Sequence, residues 1–380
     1  MPFSSFNLSD SLLRALSEMK YERPYPIQEQ AIPAILTGQD VFGIAPTGSG
    51  KTASYALPIL TGLSKRKIER SRNIQVLIVL PTRELAIQVQ EVFHAFAGYM
   101  PEQIKSMAVY GGVSINPQMK AMLGVSVLIA TPGRLLELIE SNAVHLGQCK
   151  TLVLDEADKL LNLGFREEMQ KIIALLPAKR QNLLFSATLN EDVSAVTQLL
   201  LREPVVIKIV KEEETVALIR QSAYRVSEVR KGPLLRYLIK SRDMKQVLIF
   251  TSSIFNADKV VDKLQKNGIN AVAIHSKKSQ EARSKALKNF KEGRTRVLVA
   301  TDLLSRGVDI QELPFVINYE LPRSPKDYIH RIGRTGRADA TGEALTLVTP
   351  EDEQHFRVIQ KKMGERVPLE ETETIDLKGY

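Results

Sequence analysis

The sequence predicts an α/β fold in two tandem domains, each a parallel β-sheet flanked by helices. Three observations carry that prediction. Short apolar runs alternate with amphipathic stretches along nearly the whole chain. The length, 380 residues, exceeds what one hydrophobic core usually serves. The rhythm also breaks once, in the charged stretch "VVIKIVKEEETVALIRQ", and then restarts.

In the first half, "DVFGIA", "IQVLIVLP", "SVLIATP", "KTLVLDE" and "NLLFSAT" read as strands. Continuous apolar runs of this length suit a parallel sheet covered on both faces. Between them, "RELAIQVQEVFHAF" puts Leu85, Val89, Phe93 and Phe96 on one helical face, and "EEMQKIIALL" reads as another helix. Strand–helix alternation of this kind implies parallel strands joined by helical crossovers. In the second half, "QVLIFTS", "NAVAIHS", "RVLVATD", "FVINYE" and "EALTLVT" read as strands. The helices "IFNADKVVDKLQKNG" and "QEARSKALKNFKEG" each stop at a glycine. The expected boundaries are a first domain over 1–208, a linker over 209–217, a second domain over 218–368 and a terminal tail over 369–380. The ending "EETETIDLKGY" is expected to fray.

Composition narrows the class. Hydrophobic residues make up 44% and charged residues 25%, ordinary values that sustain two cores. Cys149 is the single cysteine, so no intrachain disulfide can form. It leads into an apolar strand, which suits a buried thiol better than a nucleophile. The five histidines are scattered and no cluster has metal-ligand spacing. The start "MPFSSFNLSD" lacks the pattern of a signal peptide, and no apolar run reaches membrane length. A reducing, aqueous, cytoplasmic setting without a membrane partner is expected. Net charge is +9, and residues 211–380 carry 31 Lys+Arg against 24 Asp+Glu. That favours a polyanionic partner, with basic solubility alone as the plainer alternative.

The stretch "IAPTGSGKT" follows an apolar run and opens a helical pattern, the context a phosphate loop needs. Gly48 and Gly50 let backbone N–H groups face phosphate oxygens, and the helix N-terminus adds a favourable dipole. Lys51 reaches the β- and γ-phosphates, and Thr52 contacts Mg²⁺ or its waters. The alternative is a glycine-rich turn with an incidental lysine. A magnesium partner should end another strand, and "TLVLDEAD" supplies Asp155 for the metal and Glu156 for the attacking water. Adjacent carboxylates repel one another, which a nearby cation explains better than a chance acidic turn. Together the two motifs imply hydrolysis of a nucleoside triphosphate.

With these residues in view the chain resembles a DEAD-box RNA helicase of superfamily 2, in the form of a bacterial-type minimal core. The motifs "YPIQ", "APTGSGKT", "PTREL", "GG", "TPGR", "DEAD", "SAT", "VLIF", "QEAR", "ATDLLSRGVD" and "HRIGRTGR" occur in the family's order over nearly the whole chain. The resemblance implies two RecA-like domains, with ATP and Mg²⁺ as cofactors. Family members commonly carry Ala at the position of Ala45, so the missing first glycine is no defect if that residue keeps negative φ. Thr47 and Ser49 belong to the same loop.

The resemblance further implies adenine selection by Gln28 and base stacking by Tyr21. The plainer reading of Gln28 is a helix-opening residue after Pro26. Lys20 stands where Gly is common, Tyr25 where Thr is common and Pro46 where Gln is common. Asp309 matches the ribose contact. Arg334 and Arg337 match the arginines that approach the γ-phosphate from the second domain, a contribution of roughly 10³–10⁵ in rate. Ser186, Thr188 and Asp158 match the group tying hydrolysis to RNA remodelling. His330 is assigned to the same network, with a structural histidine as the alternative.

The implied RNA face draws on strand-end loops: Pro81, Thr82, Arg83, Gly111, Gly112, Thr131 and Arg134, then Thr251, Gln280, Arg283, Thr301 and Gly307. Thr82 and Thr131 read equally well as helix N-caps. Tryptophan is absent and no aromatic RNA-reading string occurs, so contacts should fall on the RNA backbone with little sequence preference. Affinity should then fall with salt at a log–log slope of about −0.7 per phosphate.

The expected activity is RNA-stimulated ATP hydrolysis coupled to domain closure and to local unwinding or remodelling of RNA duplexes and RNA–protein complexes. The competing readings are a DNA-directed superfamily-2 helicase and an ATP-gated RNA clamp or scaffold. Ribosomal or RNA-decay proteins are the protein partners the resemblance admits, and a monomer is expected.

Overall fold

The computed structural model describes residues 2–46, 48–66, 70–209, 219–301, 313–336 and 342–380, apart from the side chain of Lys326. The chain divides into two compact units, Met1–Lys211 and Glu212–Tyr380.

Unit 1 opens with a 3-10 helix, Phe3–Phe6, then α1 (Asp10–Glu18), α2 (Pro26–Leu36) and β1 (Val41–Ile44). There follow α3 (Lys51–Ser64), β2 (Val76–Val79), α4 (Arg83–Ala97), β3 (Lys105–Val109), α5 (Ile115–Ala121), β4 (Val125–Ala130), α6 (Pro132–Glu140) and β5 (Thr151–Leu154). The unit ends with α7 (Ala157–Asn162), α8 (Arg166–Ala174), β6 (Gln181–Ser186), α9 (Glu191–Leu200) and β7 (Val205–Lys208). The sheet order is β3-β4-β2-β5-β6-β1-β7, and neighbouring strands pair in parallel.

Every residue of β1, β2, β4 and β5 is buried, which is why these strands read as unbroken apolar runs. One face packs Tyr55, Phe93 and Phe96, and the other packs Leu135, Leu138, Ile172 and Val193. Gly43 lies opposite Phe185 across the β1–β6 pair, and a Cβ there would sit 2.6 Å from the Phe185 ring. The ring therefore occupies space that only glycine leaves. Cys149 is buried, and burial pushes its thiol pKa up to about 11.

Unit 2 runs β8 (Ile219–Arg225), α10 (Glu228–Ser241), β9 (Val247–Thr251), α11 (Ile254–Lys266), β10 (Ala271–Ile274), α12 (Gln280–Lys291), β11 (Val297–Thr301) and β12 (Phe315–Asn318). It closes with α13 (Pro325–Ile332), β13 (Gly342–Val348), α14 (Glu353–Met363) and β14 (Leu369–Glu371). Its order is β10-β11-β9-β12-β13-β8-β14, again with parallel pairing. Buried Arg331 fastens α13 to β12. Its Nη1 donates to Asn318 Oδ1 at 3.2 Å and to the Glu320 carbonyl at 2.6 Å, and its guanidinium lies 5.0 Å from the Phe250 ring centroid.

The structure departs from the sequence expectations at the sheet edges and at the C-terminus. Four strands were not anticipated: β3, β7, β8 and β14. The ladder of unit 1 continues through β7 to Lys208, and just beyond it Ile209 N donates to the Ile44 carbonyl at 2.8 Å. The remainder of the expected linker, 210–217, lies outside the described residues. The ending does not fray. β14 pairs with β8, Thr372 Oγ1 donates to the Arg225 carbonyl at 2.6 Å, and Arg230 Nη2 donates to the carbonyls of Thr372 and Ile375, each at 2.9 Å. Ile375 and Leu377 pack on the core, and Tyr380 meets Tyr237 edge-on. Polar composition suggested a loose tail, but alternate apolar residues and a buried threonine anchor it.

Candidate active site

In unit 1 the order β5-β6-β1 sets three strand ends side by side. Ile44 pairs with Ser186, and Leu154 with Leu184. The segments that follow β1, β5 and β6 therefore emerge at one carboxyl edge, where open α/β sheets bind ligands.

The candidate phosphate loop leaves β1 through Ala45, which is buried and keeps negative φ. Its methyl needs no glycine geometry, as expected. Gly48 and Gly50 adopt φ of +81° and +85°. A Cβ on Gly50 would stand 2.5 Å from Gln28 Nε2 and 2.8 Å from Tyr25 Cδ2. Gly50 is thus required by conformation and by crowding alike. Ser49 Oγ donates to the Pro46 carbonyl at 2.8 Å and braces the loop. Lys51 and Thr52 open α3. Lys51 is buried, and its Nζ donates to the Ala45 carbonyl at 2.9 Å. Thr47 lies outside the described residues.

Gln28 is fully buried in the first turn of α2. Its Nε2 donates to the Gly50 carbonyl at 3.1 Å, and its Oε1 accepts from Tyr25 N at 2.9 Å. Each end of the amide retains one further hydrogen-bonding position, enough for a paired contact to a base edge. Tyr21 is half-buried, its ring 5.8 Å from Phe96 and 6.4 Å from Phe3. Lys20 has φ +60°, a left-handed conformation in which glycine is more at ease.

The acidic motif follows β5. Asp155 is buried. Its Oδ1 accepts from Glu156 N at 2.8 Å, and its Oδ2 accepts from the Tyr55 hydroxyl at 3.0 Å. Burial raises the Asp155 pKa, while the Lys51 charge opposes that rise. Glu156 holds φ +54°, a conformation costing about 1–3 kcal/mol in a non-glycine residue. Its Oε1 lies 3.8 Å from Lys51 Nζ and its Oε2 lies 2.5 Å from Lys159 Nζ. Both ammonium groups pair with Glu156, and the Lys51 charge also acts on Asp155, so the two adjacent carboxylates have a cation nearby. Thr188 Oγ1 donates to Asp158 Oδ2 at 2.9 Å, and Ser186 Oγ donates to the Thr188 carbonyl at 2.7 Å.

The other half of the sheet edge holds the proposed RNA residues of unit 1. Ala130 pairs with both Val79 and Val109, so the segments after β2, β3 and β4 emerge together. They carry Pro81, Thr82 and Arg83, then Gly111 and Gly112, then Thr131 and Arg134. Thr82 Oγ1 accepts from Leu85 N at 3.4 Å as a helix cap, whereas the Thr131 side chain makes no cap bond. Gly112 has φ +79°, and a Cβ there would sit 2.6 Å from Arg83 Nη1. Arg134 is buried; its Nε donates to Glu137 at 2.9 Å, its Nη2 to the Val113 carbonyl at 2.7 Å, and its Nη1 has no partner.

In unit 2, Thr251 pairs directly with Thr301 at the ends of β9 and β11. Arg283 is buried in α12 and donates to Gln280 Oε1. His330 lies half-buried on α13, and Arg334, buried, follows that helix. Gly307, Asp309 and Arg337 lie outside the described residues.

A DEAD/DEAH box helicase family model matches residues 25–196, and a model of the helicase conserved C-terminal domain matches 230–339. The ATP-dependent RNA helicase CshA of Limosilactobacillus reuteri is 40% identical over 362 residues, 95% of this chain and 72% of that protein. The chain belongs to the DEAD-box family of ATP-dependent RNA helicases. The DEAD-box ATP-dependent RNA helicase CshA of Bacillus subtilis is 36% identical over 98% of this chain and 75% of that protein. Among solved structures, S. cerevisiae Dbp5 bound to RNA and ADP BeF3 is 28% identical, with a TM-score of 0.84 over 98% of this chain and 95% of that chain.

Sequence reasoning missed several residues that brace these segments. Tyr55 stands one helical turn after Lys51, a spacing that signals a shared face but not its partner. Lys159 stands three residues after Glu156, a visible ion-pair spacing. In unit 2, Glu320 accepts from Ser252 N at 2.6 Å, Ser252 Oγ at 2.7 Å and Asn256 Nδ2 at 2.6 Å, fixing the segment after Thr251. Nothing in the spacing of those residues announces that clamp.

Proposed function

We propose that unit 1 binds ATP at the β1–α3 loop, that arginines of unit 2 complete the site, and that RNA bound to both units couples hydrolysis to local strand separation or remodelling of RNA–protein complexes. The observation that carries the reading is the convergence of Lys51, Asp155 and Glu156 at one strand edge, beside the Asp158–Thr188 hydrogen bond. The printed names of the two bacterial relatives and the RNA and ADP BeF3 in the yeast structure support ATP and RNA as the pair of ligands.

In this reading Lys51 exchanges the Ala45 carbonyl for β- and γ-phosphate oxygens, while Gly48, Ser49, Gly50 and Thr47 wrap the phosphates. Gln28 and Tyr21 read the base, and Asp309 holds the ribose. Thr52 and Asp155 offer the hydroxyl and carboxylate oxygens that suit Mg²⁺, and burial of Asp155 beside cations fits a site built for compensated charge. Bound Mg²⁺ supplies charge neutralisation at the phosphates. Glu156 orients or deprotonates the attacking water after giving up its lysine contacts. Arg334 and Arg337 offset charge developing on the γ-phosphate. Asp158, Ser186, Thr188 and His330 transmit the state of the site to the RNA face. ATP and RNA favour closure because each binds the closed arrangement better than the open one. A monomer in the cytoplasm is the setting proposed.

The test is ATPase activity with RNA and with DNA of the same length. Stimulation by RNA alone is expected. Equal stimulation by DNA favours a DNA-directed enzyme, and RNA binding with negligible single-turnover phosphate release favours a clamp.

A further inference from the structure

We propose that Tyr55 is a positioning residue for the magnesium site, its hydroxyl holding the Asp155 carboxylate in the orientation that receives the metal. The proposal deepens the nucleotide-site reading above and rests on it.

The phenol is fully buried in the core between β6 and α4. It sits on α3 one turn beyond Lys51, with Phe185 of β6 at 5.3 Å and Phe93 of α4 at 6.4 Å between ring centroids. Phe185 in turn occupies the space that Gly43 leaves empty. The ring therefore has a fixed place, and its hydroxyl has a fixed direction.

That hydroxyl donates to Asp155 Oδ2 at 3.0 Å, while Oδ1 accepts from Glu156 N at 2.8 Å. The carboxylate is thus pinned at both oxygens, and rotation about its final bond would break both hydrogen bonds. Thr52 precedes Tyr55 by three residues on α3, so the phenol stands on the helix flank that carries the second residue assigned to Mg²⁺.

Packing alone does not explain the hydroxyl. A phenylalanine would fill the same space between Phe93 and Phe185 without burying a polar atom. A buried hydroxyl is costly unless it is hydrogen-bonded, and this one is bonded to a carboxylate that has a task. Partners that orient metal-binding carboxylates typically account for about 10–100-fold in metal affinity.

The experiment measures ADP affinity of the full chain by calorimetry, in excess Mg²⁺ and in EDTA, for wild type, Tyr55→Phe, Asp155→Asn and the double variant. Wild type should bind more tightly with Mg²⁺. Tyr55→Phe should keep its affinity in EDTA within about twofold and lose about tenfold of the Mg²⁺-dependent gain. In the Asp155→Asn background, adding Tyr55→Phe should change nothing further. Phe93→Leu, which loosens the same packing without touching the hydroxyl, should lower the melting temperature and leave the Mg²⁺ gain intact. An unchanged Mg²⁺ gain in Tyr55→Phe overturns the proposal, and so does an equal loss in Phe93→Leu. If wild type binds no ADP under either condition, the nucleotide-site reading itself fails.

Discussion

Gly50 is the residue at which the segment proposed to read the base meets the proposed phosphate loop. Its positive φ and its closeness to Gln28 both exclude a side chain. Gly50→Ala should cost at least 1–2 kcal/mol, roughly the price of a left-handed alanine, and should weaken ADP binding by displacing the Gln28 amide. Thermal melting and calorimetry would show both effects, and unchanged affinity would separate Gln28 from nucleotide binding. Cys149 makes a second prediction. Its thiol is raised by burial from the ordinary 9.0 to about 11. Above pH 9 the unfolded chain sheds this proton while the folded chain keeps it, so stability should fall as pH climbs from about 9 toward about 11. Cys149→Ala should flatten that part of the unfolding curve. The residues of the phosphate loop and the acidic motif were legible because their chemistry is local. Tyr55 was not, because its partner lies 100 positions away and only the fold unites them.

Among the elements, the central strands were readable and the edges were not. β2, β4 and β5 are buried throughout, so burial writes a continuous apolar run. β3 begins with an exposed lysine, β8 mixes buried and exposed positions, and β14 has three residues that lean on β8. Such strands are defined by their neighbours, which a linear pattern does not contain. The C-terminal segment follows the same logic. Removing residues 370–380 should destabilise unit 2 by about 2–4 kcal/mol, through lost burial of Ile375 and Leu377 and the bonds to Arg225 and Arg230. Urea unfolding followed by a probe in that unit measures the loss, and an unmoved midpoint would mean that the segment is a passive tail.

For the whole molecule, the proposed division of chemistry between units is the consequence that matters. Unit 1 carries the proposed phosphate loop, both carboxylates and the Asp158–Thr188 link, while unit 2 carries the arginines assigned to the γ-phosphate. Glu156→Gln removes the group assigned to the attacking water and leaves the phosphate-binding residues in place. It should retain ATP and RNA while releasing little phosphate, so an ATP-dependent RNA complex should persist long enough to isolate by filtration. Normal phosphate release would remove Glu156 from its role.

The most direct measurement is RNA-stimulated ATP turnover by the intact Arg334→Ala chain, beside its affinity for ADP. A unit-2 cation acting on a unit-1 triphosphate predicts a fall of about 10³ or more in rate with ADP affinity unchanged. Turnover equal to wild type at saturating RNA would contradict it.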